Sequence, residues 1–600
     1  MIPQNIGRLF KDTVARFPDK KAVIFKKDSG YYSYSWSEFL KKVEAVASSL
    51  LDQGLKPRDK IAIFSENRPE WTLIDLAAQW IGVATVPIYT SLASNEIKYL
   101  LEDSDAKIVA LSSKTFFEKI ATIQKALPGL QAVIGFESSL SLMKDELGIP
   151  LILMKDMEKC EPKTALLQSF LDQIGPDTLA SIIYTSGTTG VPKGVMLTHS
   201  NFIYNAVFSR DALKMDKEDV HLSFLPLSHV FERLAGHYLM IYIGATIAYA
   251  ESMDTVPRDL LEVRPTFVMG VPRFYEKIKE KVLDAVNKSS SVRKGIFHWA
   301  KALGSEKREA YFFKKTPGLL FRLQVALADK LVYQKFRKRL GGRVRFGISG
   351  GAALPKEVAE FFYDLGVQIY EGYGLTETSP VMSVNREGQF KFGTVGMPLK
   401  EVEVKISEEG EVITKSACVM KGYYKREDET KAVLKEGWFY TGDLGMIDKD
   451  GFLVITGRKK EIIVTSGGKK VSPRHIEEMM ETASSILRCV LFGEGHKFIT
   501  ALIVPDKEML LKYADEQKIA YDAYKDLLKN PLVYQWIESR VDSLSKDLAN
   551  FEKIKYFALL EHDFSQASGE LTPTLKVKRE VVVSRYKDEL LGFYAKDRIY

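Results

Sequence analysis

Apolar residues along this chain follow two rhythms. Short continuous runs such as DKIAIFSE and ATVPIYT read as strands buried on both faces, and between them EWTLIDLAAQWIG repeats its apolar positions at helical spacing. The alternation returns with PTFVMGV, RVRFGISGG and VQIYEGYG as strands and LPKEVAEFFYDLG as a helix. This pattern predicts parallel-type sheets covered by helices, the α/β class. From about residue 392 the texture shortens into turn-rich pieces such as GTVGMPLKEVEVKISEEGEVIT, which predict a small antiparallel or barrel-like unit. The stretch ITGRKKEIIVTSGGKK is charged and then glycine-rich, as exposed connections tend to be. Beyond it, RCVLFGE and ITALIVPD predict a compact α+β domain. The expected organisation is a large N-terminal domain over 1–457 with the small β unit at 392–457, a connection at 458–460, and a small C-terminal domain over 461–600.

Composition narrows this picture without changing it. Six hundred residues exceed one hydrophobic core, and 46% hydrophobic with 27% charged residues is the balance of an ordinary globular protein. No run of about 18 uncharged apolar residues occurs, and the first residues lack an apolar signal core, so a cytoplasmic location is expected. Cys160, Cys418 and Cys489 are scattered and suggest neither a disulfide framework nor a zinc site. The eight histidines form no H-x-x-x-H pair on an apparent helix, so a metal would have to arrive with a nucleotide.

Charge is uneven. Residues 277–345 hold 19 Lys/Arg against 5 Asp/Glu, a local balance of +14 within a total of +7, so the remainder sums to −7. Cations and aromatics are mixed in this segment. It reads either as a solvated helical face with its aromatics turned inward, or as a surface for an anionic membrane or an acidic ligand.

Five short pieces carry candidate chemistry. In SIIYTSGTTGVPKG, a buried strand runs into Thr185, Ser186, Gly187, Thr188, Thr189 and Gly190, then Lys193. Glycines let the backbone bend closely around a ligand, while hydroxyls, N–H groups and the lysine suit phosphate oxygens. It is not a Walker A loop, since five residues after Gly187 stands Pro192 and five after Gly190 stands Val195. A plain surface loop remains open at this point. In FGISGGAALP, Gly350, Gly351 and Ala352 stand at a strand's carboxyl end, where open α/β sheets bind ligands; a tight strand-to-helix turn would look the same. In YEGYGLTET, Tyr373 between glycines offers a ring for stacking on a base, Thr376 a hydroxyl for phosphate and Glu377 a carboxylate for magnesium. In GWFYTGDLG, Asp443 reads as a carboxylate in a turn, able to accept from two vicinal hydroxyls; an ordinary Asx turn is the alternative. The fifth piece, GRKKEIIVTSGGKKVSP, supplies Arg458, and near the end LTPTLKVKRE places Lys576 in a Pro/Thr-flanked turn.

Together and in this order, YTSGTTGVPKG, YEGYGLTET and WFYTGDLG resemble the signatures of the adenylate-forming superfamily of acyl-CoA synthetases, firefly luciferase and peptide-synthetase adenylation domains. The resemblance spans nearly the whole chain. It implies a carboxylate attacking the α-phosphate of ATP with Mg²⁺, giving an acyl-adenylate and pyrophosphate, then a thiol, usually of coenzyme A, taking the acyl group. It implies a phosphate loop at 184–194, an adenine shelf at Gly350, Gly351 and Ala352 with Tyr373 stacking, and α-phosphate and magnesium contacts at Thr376 and Glu377. It also implies ribose contacts at Asp443 and Arg458, a hinge at Lys460, and a mobile C-terminal domain. Lys576 would serve the first half-reaction, and Ser466, Gly467 and Gly468 would face a coenzyme A tunnel in the second. The family usually shows Gly-Lys where this chain has Leu575-Lys576, with Lys578 a weaker stand-in. FLPLSHVFERLAG and LTPTLKVKR resemble the long-chain fatty acyl-CoA synthetases, with His229 beside the carboxylate or gating the acyl channel. The implied partners are a fatty acid, ATP and coenzyme A, with membrane contact through 277–345, no nucleic acid, and an open oligomeric state.

Rival readings are a phosphotransfer ATPase or kinase, a binder without catalysis, and the same chemistry with a carrier-protein acceptor or a smaller acid. The missing Walker A spacing and kinase H-R-D and D-F-G pair count against the first, and the presence of Glu377 and Lys576 against the second.

Overall fold

The computed structural model describes residues 2–28, 30–185, 191–314, 316, 318–572 and 576–596. The chain forms two compact units. The first is Met1–Lys405 with Ile413–Thr441 and Ile447–Leu453. The second takes Ile406–Val412, Gly442–Met446 and the chain from Val454 onward. Residues 458–460 group with the second unit. The local reason is polar: Gly442 N–H donates to Glu411 Oε1 at 2.9 Å, Lys459 pairs with Glu411 at 2.9 Å, and Arg458 pairs with Asp443 at 3.0 Å.

The first unit is mixed α/β. Its eight-stranded sheet runs, in spatial order, Gly422–Tyr423, Lys193–Thr198, Leu179–Thr185, Ala84–Ile88, Lys60–Phe64, Ile108–Leu111, Ala132–Gly135 and Leu151–Leu153. Six of these are parallel, as the apolar runs predict, and their side chains form a buried core with Phe64, Val86, Val109, Val133 and Ile182 at its centre. Lys193–Thr198 is antiparallel because a short loop returns it directly from the preceding strand. A five-stranded sheet orders Phe267–Gly270, Phe346–Ser349, Gln368–Gly374, Val381–Val384 and Met397–Pro398. A four-stranded sheet orders Val220–Ser223, Thr246–Tyr249, Lys21–Lys27 and Gly30–Ser35.

A charged cluster lies in this otherwise apolar interior. Arg233 is 0% exposed. Its Nη1 donates to Ser181 Oγ at 2.7 Å, and its Nη2 pairs with Asp75 at 2.5 Å and reaches Thr85 Oγ1 and Tyr238 Oη. Trp71, Phe202 and Tyr238 present ring faces to the guanidinium at 5.3–5.6 Å. Burial alone would raise the Asp75 carboxyl, but Arg233, His237 and Tyr238 hold it well below the usual carboxylate range. The cluster fixes a wide π-type turn, Glu232–Tyr238, to the strand that leads into the phosphate loop. Glu232, beside it, bonds His221 at 2.8 Å and Ser223 at 2.5 Å.

The basic segment is helical at Pro272–Asn287, Ser291–Phe312 and Leu319–Ala328, and again at Gln334–Arg339. Part of its aromatic content turns inward, with Phe297, Tyr333 and Phe336 buried, while exposed Tyr311 stacks on Phe390 at 4.9 Å and exposed Phe312 meets Phe392 at 5.5 Å. Leu319–Ala328 does the opposite. Leu319, Leu320, Leu323 and Leu327 are 75%, 71%, 60% and 51% exposed.

The second unit builds a three-stranded sheet from Ile486–Phe492, Ile499–Pro505 and Ile554–Leu559, packed on one face by Pro473–Glu481 and Pro531–Leu544 through Ile476, Met480, Ile537 and Val541. No helix among the described residues is long and apolar enough to cross a membrane.

Candidate active site

The first unit presents the residues of the phosphate loop, the shelf and the acidic turn. Thr185 closes one strand and pairs in register with Lys193, the first residue of the returning strand. Ser186, Gly187, Thr188, Thr189 and Gly190 lie outside the described residues. Gly194 is required by packing, since a Cβ there would stand 2.6 Å from Ile182 Cγ2. The Lys193 ammonium lies 5.4 Å from the Tyr423 ring centroid and pairs with Glu429 on the helix Glu427–Val433. The Tyr423 hydroxyl donates to Glu377 Oε1 at 2.8 Å. Tyr423 thus joins the phosphate-loop lysine to the candidate magnesium carboxylate.

Sequence reasoning missed both Tyr423 and Glu429. One signal was available for Tyr423. It follows Gly422, which takes φ +145° and has Thr430 Cγ2 2.7 Å from where a Cβ would stand, and the Tyr423 N–H donates to Thr430 Oγ1 at 2.9 Å. A Gly-Tyr followed eight residues later by Thr therefore marks a built turn.

The acidic turn is held from several sides. Thr376–Thr378 is one short 3-10 turn, and its Thr378 Oγ1 accepts from Leu375 N–H at 3.0 Å. The Asn205 amide donates to the carbonyls of Thr378 and Val381, and Ser379 Oγ to that of Cys418. Glu377 Oε2 makes no hydrogen bond among the described residues, and its side chain is only partly buried. A hard cation carried by phosphates fits such a lone carboxylate oxygen, whereas no cluster of three protein metal ligands exists among the described residues. Tyr373 is half-buried, in register with Ser383 of the neighbouring strand. Gly374 answers a different need from the one read in sequence: a Cβ there would stand 1.7 Å from the Pro380 carbonyl oxygen.

Two further residues meet at the shelf. Gly350 follows the strand Phe346–Ser349, and a Cβ on it would come within 3.1 Å of the Phe231 ring. Gly350 is thus small because Phe231 lies under it. Gly351, exposed at φ +83°, and half-buried Ala352 remain open beside it. His229, two residues before Phe231, accepts the Phe231 N–H on Nδ1 at 3.2 Å. That bond places the proton of the neutral ring on Nε2.

The second unit carries the remaining candidates. Asp443 does not sit in a turn. It lies in the long strand Trp438–Ile447, buried, with Gly442 at φ +74° supplying the local twist that turn residues suggested. Asp443 and Arg458, read separately as ribose contacts, form an ion pair at 3.0 Å. Lys460 is exposed in the short turn Lys459–Glu461. Ser466, Gly467 and Gly468 form an exposed hairpin turn between Ile463–Val464 and Lys470–Val471, with open space beside both glycines.

Lys576 is tied twice to Thr572: Thr572 N–H donates to Lys576 O at 2.7 Å, and Lys576 N–H to Thr572 Oγ1 at 3.0 Å. Its outer surface stays open to solvent. Surrounding protein nevertheless desolvates the ammonium, and Arg474 and Arg458 repel it, which together push it down to about 8 against the opposing pull of Asp443 and Glu461.

Known proteins resemble this chain in sequence and fold. Residues 10–424 match the AMP-binding enzyme family, and 460–598 match the AMP-binding enzyme C-terminal domain. A long-chain-fatty-acid–CoA ligase of Mycobacterium bovis is 34% identical over 585 residues, 96% of this chain and 95% of that protein. Another, from Xenopus laevis, is 31% identical over 99% of this chain and 84% of its own length. The same fold is found in the adenylation domain of the carboxylate reductase from Mycobacterium chelonae, at a TM-score of 0.77 and 22% identity, covering 98% of this chain and 91% of that one. Anthranilate CoA ligase in complex with anthranoyl-AMP gives a TM-score of 0.72 at 18% identity, covering 98% of each chain. With matched models over most of its length and full-length relatives above 30% identity, this chain belongs to the AMP-binding enzyme family.

Proposed function

We propose that the protein activates a long-chain fatty acid with ATP and Mg²⁺ and transfers it to coenzyme A. The observation that carries the chemistry is the array of Lys193, Tyr423 and Glu377: a cation and a carboxylate held side by side by one tyrosine, at the base of a Ser/Thr/Gly loop. The substrate class rests on the relatives, which are named as long-chain-fatty-acid ligases.

In the first half-reaction a carboxylate oxygen attacks the α-phosphorus, and the bond to the β-phosphate oxygen breaks as pyrophosphate leaves. Negative charge grows on phosphate oxygens, so preorganised cations and donors stabilise the transition state. Thr185 and Lys193, with Ser186, Gly187, Thr188, Thr189 and Gly190, take the β- and γ-phosphates, and Lys193 exchanges Glu429 for them. Glu377 would hold the magnesium, which would neutralise phosphate charge, while Thr376 donates to the α-phosphate and Lys576 bridges carboxylate and phosphate. Tyr373 stacks on adenine beside Gly350, Gly351 and Ala352. Asp443 accepts from the ribose hydroxyls, oriented by Arg458. His229 presents Nε2–H near the carboxylate. In the second half-reaction the coenzyme A sulfur attacks the acyl carbon, the thiol proton is lost and AMP leaves, with Ser466, Gly467 and Gly468 along the thiol's path and Lys460 the pivot between the two steps.

The basic segment 277–345 serves the delivery of a poorly soluble acid. The four exposed leucines of Leu319–Ala328 lie on one side of a helix with a single cation, and exposed Arg322, Lys330, Lys335, Lys338 and Arg339 accompany them. An apolar ridge with cations suits shallow contact with an anionic lipid surface.

Three outcomes follow. With ATP-Mg²⁺ and acids of graded length, AMP rather than ADP should accumulate, dependent on both a long-chain acid and coenzyme A; ADP, or AMP indifferent to coenzyme A, would contradict the assignment. The Lys576 ammonium is charged below its shifted value and neutral above it. The adenylation rate, followed by pyrophosphate exchange, should therefore fall through an alkaline limb near pH 8, and Arg474→Gln, which removes a repelling charge, should move that limb toward the ordinary 10.5. An unmoved limb would remove Lys576 as its source. Replacing Lys335, Arg337, Lys338 and Arg339 by glutamine should weaken co-sedimentation with phosphatidylglycerol vesicles several-fold at low salt and leave phosphatidylcholine binding unchanged. Unchanged binding to both, or self-association lost instead, would show that this face does not meet lipid.

A further inference from the structure

The sequence LTPTLKVKRE also contains Arg579, three positions after Lys576, a basic residue that the chemistry above does not use. It opens the helix Arg579–Arg585. Its Nη2 pairs with Glu477 Oε2 at 2.6 Å, and its Nη1 donates to the Leu491 carbonyl at 2.8 Å. The other oxygen of the same carboxylate, Glu477 Oε1, accepts the Leu491 N–H at 2.6 Å. One guanidinium fork and one carboxylate therefore clasp both backbone groups of a single residue in the strand Ile486–Phe492, with Glu477 itself buried. A planar fork fixes direction as well as distance, which an ammonium cannot do.

This joint lies where it governs Lys576. Upstream of Arg579, Lys578 N–H donates to the Glu570 carbonyl at 2.7 Å, and Val577 bridges to Leu571. Lys576 is thus carried on a short limb with one end closed on Thr572 and the other pinned at Arg579. The helix Pro473–Glu481 that supplies Glu477 also supplies Arg474, whose charge repels the Lys576 ammonium. The clasp consequently sets both where the limb lies and how far Lys576 stands from Arg474. The turn Ser466–Gly468 of the same unit hangs from other bonds: Ser466 N–H to His496 O at 2.8 Å, and Thr465 N–H to Lys469 O at 2.9 Å.

We infer that Arg579 and Glu477 are positioning residues for Lys576 and serve the adenylation half-reaction but not thioester formation. The inference rests on the assignment of Lys576 to the first step. Loosening the clasp displaces Lys576 while the Ser466–Gly468 turn keeps its own supports. A displacement on the order of 1 Å at a reacting group costs about 100-fold.

The test measures the two half-reactions separately in the full-length protein: pyrophosphate exchange with a long-chain acid, and acyl-CoA formation from supplied acyl-adenylate and coenzyme A. Arg579→Gln should lower exchange about 10- to 100-fold and change acyl-CoA formation by less than about threefold. Retention of the second step itself certifies that the variant is folded. Glu477→Gln, which keeps an acceptor for the Leu491 amide, should show the same selectivity with a smaller loss, and Arg579→Lys should recover only part of the exchange rate. Equal loss of both steps in Arg579→Gln and Glu477→Gln, or undiminished exchange, would overturn the inference. Lys576→Ala is run alongside. If it loses exchange while Arg579→Gln keeps it, only the positioning role falls. If Lys576→Ala keeps exchange, the assignment of Lys576 falls, and the positioning role with it.

Discussion

The interior of the first unit depends on a guanidinium that has no access to water. Arg233 joins the strand ending at Thr185, through Ser181, to Asp75 on the helix Pro69–Trp80 and to Thr85 on the neighbouring strand. Such a pair contributes little net stability when intact, yet removing one partner strands a buried charge at a cost of about 3–5 kcal/mol. Its value here is directional. The turn Glu232–Tyr238 can occupy one position only, and the residues just before it, His229 and Phe231, inherit that position. Phe231 then lies under Gly350, at the carboxyl end of the strand Phe346–Ser349. The run FERLAG, which resembles long-chain synthetases in sequence, is thus an internal brace as much as a piece of the binding surface.

Within each unit, charge is kept paired. Lys193 leans on Glu429 and Tyr423, Glu377 accepts from Tyr423, and Asp443 holds Arg458. Each partner prevents an uncompensated charge in the protein. Lys576 differs. Desolvation and the nearby Arg474 and Arg458 outweigh the pull of Asp443 and Glu461, so its ammonium is less favoured than that of an ordinary lysine.

Much of this was legible in the sequence. Continuous apolar runs such as KIAIF and ATVPI gave the parallel strands, because burial on both faces leaves no polar alternation to misread. The family was legible because the Ser/Thr/Gly loop, the Gly-Tyr-Gly-Leu-Thr-Glu-Thr piece and the Thr-Gly-Asp piece stand together in one order, whereas the loop alone left a plain surface loop open. What stayed hidden depends on distant partners. Gly350 was read as part of a ligand shelf and Gly374 only as a flank of Tyr373, whereas Phe231 and Pro380 fill the space where a Cβ would stand on each. Asp443 was read as a turn residue because glycine precedes it, yet the strand continues through Gly442 at positive φ. Tyr423, Glu429 and the Glu477–Arg579 pair are ordinary residues in sequence, and pairing across tens or hundreds of positions leaves no local periodicity to find.

The central claim is that a fatty acid's carboxylate attacks the α-phosphorus of ATP. The most direct measurement follows an oxygen atom: turnover of a long-chain fatty acid whose carboxylate carries ¹⁸O at both positions, with ATP, Mg²⁺ and coenzyme A, and mass analysis of the AMP. Attack at the α-phosphorus leaves the bridging carboxylate oxygen on phosphorus when coenzyme A takes the acyl group, so each AMP should carry one ¹⁸O. Unlabelled AMP, with the label retained in the acyl product or lost to pyrophosphate, would contradict the account.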